Sequence, residues 1–294
     1  MHGTNFKFRS SNQSFLHLNL NPTMDQFILF GDSITQQIYD PNLSFSLGAA
    51  LSNDYIRRLE IINRGLSGYN TEQALQVLEE SIPRPETANV RFLTIFFGAN
   101  DARLPNMPGG PDQHVPVDKY KANLRAIITH PRVQEHVNAR IILIAPPPLD
   151  EATLLQTDQV KYPGLIGDVL RRTNATTRQY ATAVRELGCE MELPVIDLGF
   201  IIYARLGRPL AVHGPLSEYE DAVLRHYARQ PGVDESMQTF LHDGLHLSGE
   251  GYKLLYLALT ETILLTWPDQ TPGQLPLLLP AWDDIAGWEK WKAR

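Results

Sequence analysis

The sequence predicts an α/β fold: a three-layer sandwich with helices on both faces of a central five-stranded parallel sheet. Three observations carry this. Five short runs rich in Ile, Leu, Val and Phe recur along the chain: Gln26–Phe30, Leu59–Asn63, Arg91–Phe97, Ala139–Ala145 and Pro194–Leu198. Segments with helical spacing separate them, the rhythm of βαβ units. Most of the runs are apolar without alternation, as strands covered on both faces require.

The connecting elements follow in order. Ser46–Arg58, Thr71–Ser81, Val117–Thr129, Gly164–Leu187 and Ser248–Leu265 read as helices. Ala74, Leu75 and Leu78 make a short apolar stripe on the second, and Leu254, Leu257, Ala258 and Leu265 a longer one on the last. Asp118 is expected to cap the third helix and Ser248 to start the fifth. Leu104–Pro116 and Pro146-Pro147-Pro148 are Pro/Gly-rich loops that leave the carboxyl ends of strands, where ligands of open parallel sheets bind. Each is either a pocket wall or a rigid connection. Residues 1–23 read as a polar N-terminal extension. Residues 24–294 read as one domain, with an insertion near 204–238 that covers the site and with a C-terminal tail.

Composition narrows the function. At 294 residues, 43% hydrophobic and 20% charged, the chain can bury a sizeable core. A net charge of −7 would repel nucleic-acid phosphates and anionic membrane surfaces. The single cysteine, Cys189, rules out an internal disulfide and permits a reducing compartment. Residues 1–23 hold no signal-peptide core. Leu254–Trp267 is interrupted by Thr260, Glu261 and Thr262 and is too short to span a bilayer. These readings point to a cytoplasmic protein without a membrane span, and leave room for a homo-oligomer.

Chemistry concentrates in four places. The first strand ends in Gly31-Asp32-Ser33-Ile34-Thr35, placing Ser33 at a strand-to-helix turn, where a serine can be a nucleophile but taken alone is more often a helix cap. After the second strand, Gly68 lets a backbone N–H approach a bound group; after the third, Gly98-Ala99-Asn100-Asp101 offers a side-chain amide. The N–H of Ser33, the N–H of Gly68 and the amide of Asn100 would form an oxyanion hole. Near the C-terminus, His246 has the intrinsic pKa of about 6.5 suited to a general base at neutral pH. Asp243 stands three residues earlier, placed to orient it. A rival reading takes His242 and His246 as zinc ligands at i, i+4, but Gly244 and Gly249 argue against the continuous helix this needs. His114, His130, His136, His213 and His226 read as surface or loop residues.

Together Gly31-Asp32-Ser33, Gly68, Gly98-Ala99-Asn100-Asp101 and Asp243-Gly244-Leu245-His246 resemble, in order, the blocks of the GDSL or SGNH hydrolases. Phe27–Thr35, Leu47–Leu51, Asp243–Ser248 and Gly251-Tyr252-Lys253 are similar to the isoamyl acetate-hydrolysing esterase subgroup. The resemblance implies a flavodoxin-like sheet and hydrolysis of a small-molecule carboxylic ester without metal or organic cofactor. Ser33 would be the nucleophile, His246 the base, Asp243 its partner, and Ser33, Gly68 and Asn100 the oxyanion donors. Short-chain acetate-type esters are the expected substrates. Alternatives are a carbohydrate deacetylase, a lysophospholipase or thioesterase of the same family, or a non-catalytic ligand-binding module. Ser33 does not sit in the G-x-S-x-G elbow of the α/β-hydrolases, because Ile34 and Thr35 follow it.

Overall fold

The computed structural model describes residues 24–207, 226–227 and 235–293. The expected extension over 1–23 and most of the expected insertion near 204–238 lie outside the described residues. The described chain runs β1 (Asp25–Gly31), α1 (Ser33–Gln36), α2 (Leu47–Asp54), β2 (Leu59–Gly65), α3 (Thr71–Gln76), α4 (Leu78–Ser81), β3 (Val90–Phe96), α5 (Val117–Thr129), α6 (Pro131–Gln134) and β4 (Arg140–Ala145). It continues through α7 (Glu151–Lys161), α8 (Asn174–Met191), β5 (Val195–Asp197), α9 (Leu198–Arg205), α10 (Met237–Phe240), α11 (Gly249–Thr266) and α12 (Ile285–Lys292).

The five strands form one sheet in the order β2-β1-β3-β4-β5, parallel throughout. From β1 the chain first winds to β2 and then returns to place β3 on the other side of β1. The order reverses between β1 and β3, and the carboxyl ends of strands at such a point are where doubly wound folds bind ligands. Alternate residues of each strand feed two cores. Phe27, Leu29, Phe92, Phe96, Ile142 and Ile144 pack under α2, α9 and α11. Ile28, Phe30, Leu93, Ile95, Ile141 and Leu143 pack under α3, α5 and α8. Burial on both sides is why β1, β3 and β4 lack alternation, whereas the edge strand β2 is fully buried only at Leu59.

Several helices differ from expectation. The segment Gly164–Leu187 is a loop up to Thr173 and a helix only from Asn174, with Thr173 Oγ1 capping Thr176 N at 3.1 Å. Ahead of it α7 was not expected; it starts at the Asp150 cap and carries a mixed, weakly amphipathic face. Thr71–Ser81 breaks at Val77 into α3 and α4. Asp118 is not a cap. Pro116, whose φ of −52° suits the position, precedes the helix, and Asp118 lies in its first turn where its charge meets the helix dipole. Ser248 does cap α11, accepting from Gly251 N at 3.2 Å. His136 lies in the loop after α6, and it is buried: Nδ1 accepts from Val90 N at 3.2 Å and Nε2 lies 2.8 Å from Pro83 O, tying that loop to the start of β3 and to the segment before it. His213 lies outside the described residues. Among the described residues no helix is long and apolar enough to cross a membrane.

Candidate active site

Ser33 is the first residue of α1, directly beyond β1, and is buried. The turn is set by Asp32, whose Oδ1 accepts from Ile34 N at 2.9 Å, so the capping task falls to the aspartate and leaves the serine hydroxyl free. Burial lifts the Asp32 carboxyl to about 6, against the amides of Ile34 and Ala99 and the charges of His246 and Arg172. The carboxyl end of β2 lies beside it: Leu66 N donates to Gly31 O at 2.8 Å.

From Ser33 a hydrogen-bonded chain leads out through the C-terminal loop. His246 Nε2 lies 2.8 Å from Ser33 Oγ, and His246 Nδ1 lies 2.7 Å from Asp243 Oδ2. The other oxygen of Asp243 accepts from Leu245 N at 3.0 Å and from His246 N at 2.8 Å. Burial alone would push this carboxyl up, but the hydrogen bond and charge of His246 and those two amides outweigh it and hold it well below the usual range. An ionised carboxylate is acceptor only, so Nδ1 carries the imidazole proton and Nε2 is left to accept from the serine. The loop is a tight reversal, not a helix: Leu241 bridges Leu247, and His242 N donates to His246 O at 3.0 Å.

The other two predicted residues meet at the same sheet edge. Gly68 has φ of +84°, a backbone that side-chain-bearing residues rarely adopt. Asn100 is buried, and its Nδ2 donates to Tyr69 O at 2.9 Å, binding the loop after β3 to the loop after β2. Its Oδ1 accepts from Arg172 Nη2 at 3.0 Å. Gln113 Nε2 donates to Gly68 O at 2.6 Å. Neither Arg172 nor Gln113 was singled out by sequence. Arg172 stood inside an expected helix and Gln113 inside a loop identified only as a wall. The available signal was the placement of that loop at a strand's carboxyl end.

His242, Asp243 and His246 present potential ligand atoms within 4.8 Å of one another. The donor set does not suit a metal. Both ring nitrogens of His246 and both oxygens of Asp243 are already committed to hydrogen bonds, and His242, its ring stacked on His246 at 5.9 Å, would be the one uncommitted ligand.

Residues 29–254 match the model of the GDSL-like lipase/acylhydrolase family. The chain belongs to that family. It is 33% identical over 259 residues to the isoamyl acetate-hydrolyzing esterase 1 homolog of Mus musculus, spanning 88% of this chain and 87% of the mouse protein. The isoamyl acetate-hydrolyzing esterase of Saccharomyces cerevisiae is 30% identical over 267 residues, 89% of this chain and 95% of the yeast protein. Among solved structures, the lipase/acylhydrolase of Enterococcus faecalis superposes with a TM-score of 0.52 at 25% identity, covering 86% of this chain and 98% of that one. Axe2, an acetylxylan esterase from Geobacillus stearothermophilus, has a TM-score of 0.52 at 18% identity over 81% of this chain and 94% of its own, a likeness of fold. As a GDSL family member the protein is a carboxylic ester hydrolase.

Proposed function

We propose that this GDSL esterase hydrolyses small, uncharged, short-chain acetate-type esters through a covalent acyl-enzyme, with Ser33, His246 and Asp243 as its triad. Ser33 Oγ attacks the ester carbonyl carbon while its proton passes to His246 Nε2. The carbonyl oxygen, now negative, accepts from Ser33 N–H, Gly68 N–H and Asn100 Nδ2. As the tetrahedral intermediate collapses, His246 returns the proton to the departing alcohol oxygen. A water, deprotonated by the same nitrogen, then attacks the acyl carbon; the bond from that carbon to Ser33 Oγ breaks, His246 returns the proton to Oγ, and the acid leaves. On this reading residues 24–294 act as one catalytic domain.

The observation that carries the mechanism is the unbroken chain Asp243–His246–Ser33, with links of 2.7 and 2.8 Å. The acyl preference draws on the mouse and yeast relatives, named for isoamyl acetate. The test pairs Ser33→Ala with fluorophosphonate labelling and a panel of acetyl, butyryl and octanoyl esters plus acetylated sugars. Ser33→Ala should lower kcat by about 10⁶ and abolish labelling. Turnover should be fastest on the simple acetyl esters. Labelling of another residue would overturn the triad, and faster turnover of octanoyl esters or acetylated sugars would overturn the substrate class.

A further inference from the structure

We propose that Arg172 and Gln113 are positioning residues of the oxyanion hole, one guanidinium fixing the orientation of both the Asn100 amide and the Gly68 turn. The inference rests on the catalytic reading above. Arg172 is buried, with 5% of its surface exposed, and among the described residues its hydrogen bonds go to Ala99, Asn100 and Gln113. Its Nε donates to Ala99 O at 2.7 Å, and its Nη2 donates to Asn100 Oδ1 at 3.0 Å and to Gln113 Oε1 at 3.3 Å.

The reasoning is one of donor and acceptor type. A primary amide presents an oxygen on one side and an NH2 on the other, and an oxyanion hole needs the NH2. Arginine has five N–H donors and no acceptor, so only the oxygen of Asn100 can face it. The Nδ2 is thereby turned away from Arg172. One of its hydrogens goes to Tyr69 O at 2.9 Å, and the second is left for a substrate oxygen. The same logic sets Gln113. Its Oε1 faces Arg172, so its Nε2 faces Gly68 O, at 2.6 Å. Gln113 is held from its other side by Asn70, whose Nδ2 donates to Gln113 O at 3.0 Å. Two of the three proposed donors, from different loops, are thus referred to one rigid, planar cation. Preorganisation of this kind is what makes such dipoles effective, because they do not reorient as charge develops.

The experiment measures kcat and KM on p-nitrophenyl acetate for the full chain carrying Arg172→Met, Arg172→Lys, Gln113→Leu, Asn100→Ala, Ser33→Ala and the double change Arg172→Met/Asn100→Ala, with thermal unfolding of each. Arg172→Met should lower kcat about 10²-fold, the cost of a misplaced catalytic group, with little change in KM. Arg172→Lys, restoring one of the two directed donors, should fall between. Asn100→Ala should cost about 10²–10³. In that background Arg172→Met should cost about tenfold less than it does alone, since its main object is gone. A merely structural arginine would instead give full, multiplicative losses. Multiplicative losses, or wild-type kcat in Arg172→Met, would overturn the proposal. Should Arg172→Met fail to fold, the half-buried Gln113 decides: Gln113→Leu should lose about tenfold in kcat, and wild-type turnover there would count as refutation. Ser33→Ala separates the two readings. If it stays active, the triad itself is wrong; if it is inactive while Arg172→Met and Gln113→Leu turn over normally, only the positioning role fails.

Discussion

His246 is held through both ring nitrogens, and each neighbour constrains the other. The ionised Asp243 demands a proton on Nδ1, so the face toward Ser33 is an acceptor, the state a general base requires. Replacing Asp243 by Asn keeps the shape but offers an amide that can donate to Nδ1 and stabilise the opposite tautomer. On the proposed mechanism Asp243→Asn should lower kcat by about 10⁴ while leaving the fold intact, as steady-state kinetics and circular dichroism would show. The loss should exceed that of Asn100→Ala, because a wrong tautomer blocks proton transfer outright whereas a missing donor weakens one of three contacts. Equal losses would indicate that the Asp243 contact orients the ring without choosing its tautomer.

At the scale of elements, the nucleophile's helix is too short to place itself. The four-residue α1 has one cap, and its position is imposed by the end of β2, where Gly65 touches it. A Cβ on Gly65 would stand 2.0 Å from Gln36 N, a backbone atom that cannot swing aside. Gly65→Ala should therefore push α1 off the sheet edge and cost about 1–3 kcal/mol in a denaturant titration, with kcat falling further than the residual folded fraction explains. Unchanged turnover would mean that Ser33 is not positioned by this contact. The same scale shows what the sequence could convey. Strands buried on both faces announce themselves as apolar runs, as β1, β3 and β4 do; the edge strand β2 was legible from its Leu59, Ile61 and Ile62 and β5 from its short apolar run, as was α5 from Val117 to Thr129. The unexpected α7 and the late start of α8 were not, because Glu151–Lys161 has little amphipathic signal and the boundary at Thr173 depends on a local side-chain cap. That misplacement hid Arg172 in an expected helix. The candidate residues Ser33, Gly68 and Asn100 stand out because short glycine-containing motifs follow β1, β2 and β3, and Asp243 and His246 because one motif sets an acid three residues before an imidazole. Arg172 and Gln113 act through contacts 72 and 45 residues away and leave no local pattern.

Two buried carboxyls, Asp32 and Asp101, lie beside the site, and they make the stability of the whole molecule depend on pH in a defined way. Asp101, next to Asn100, is buried; its Oδ1 accepts from Thr71 N at 2.9 Å and Thr71 Oγ1 at 2.5 Å, while Oδ2 has no partner among the described residues. Burial pushes its carboxyl up to about 7, and Asp32 nearby is raised to about 6, both from 3.8. A carboxyl with a raised folded-state pKa binds its proton more tightly in the fold than in the unfolded chain. Between about 4 and 7 these two groups therefore hold more protons in the native state, and their contribution to stability falls as pH rises through that window. Asp243 works in the opposite direction, since its depressed carboxyl adds stability above the ordinary carboxylate range and loses it only on stronger acidification. The two windows do not overlap. Asp101→Asn keeps an oxygen for Thr71 and removes the ionisation, so it should flatten the decline between about 4 and 7 and leave a shallower one, ending near 6, that belongs to Asp32. At pH 8 the variant should be more stable than the wild type, by an amount on the order of a few kcal/mol. Urea titrations at half-unit steps would read this directly, and superimposable profiles for the two proteins would mean that Asp101 carries no such linkage.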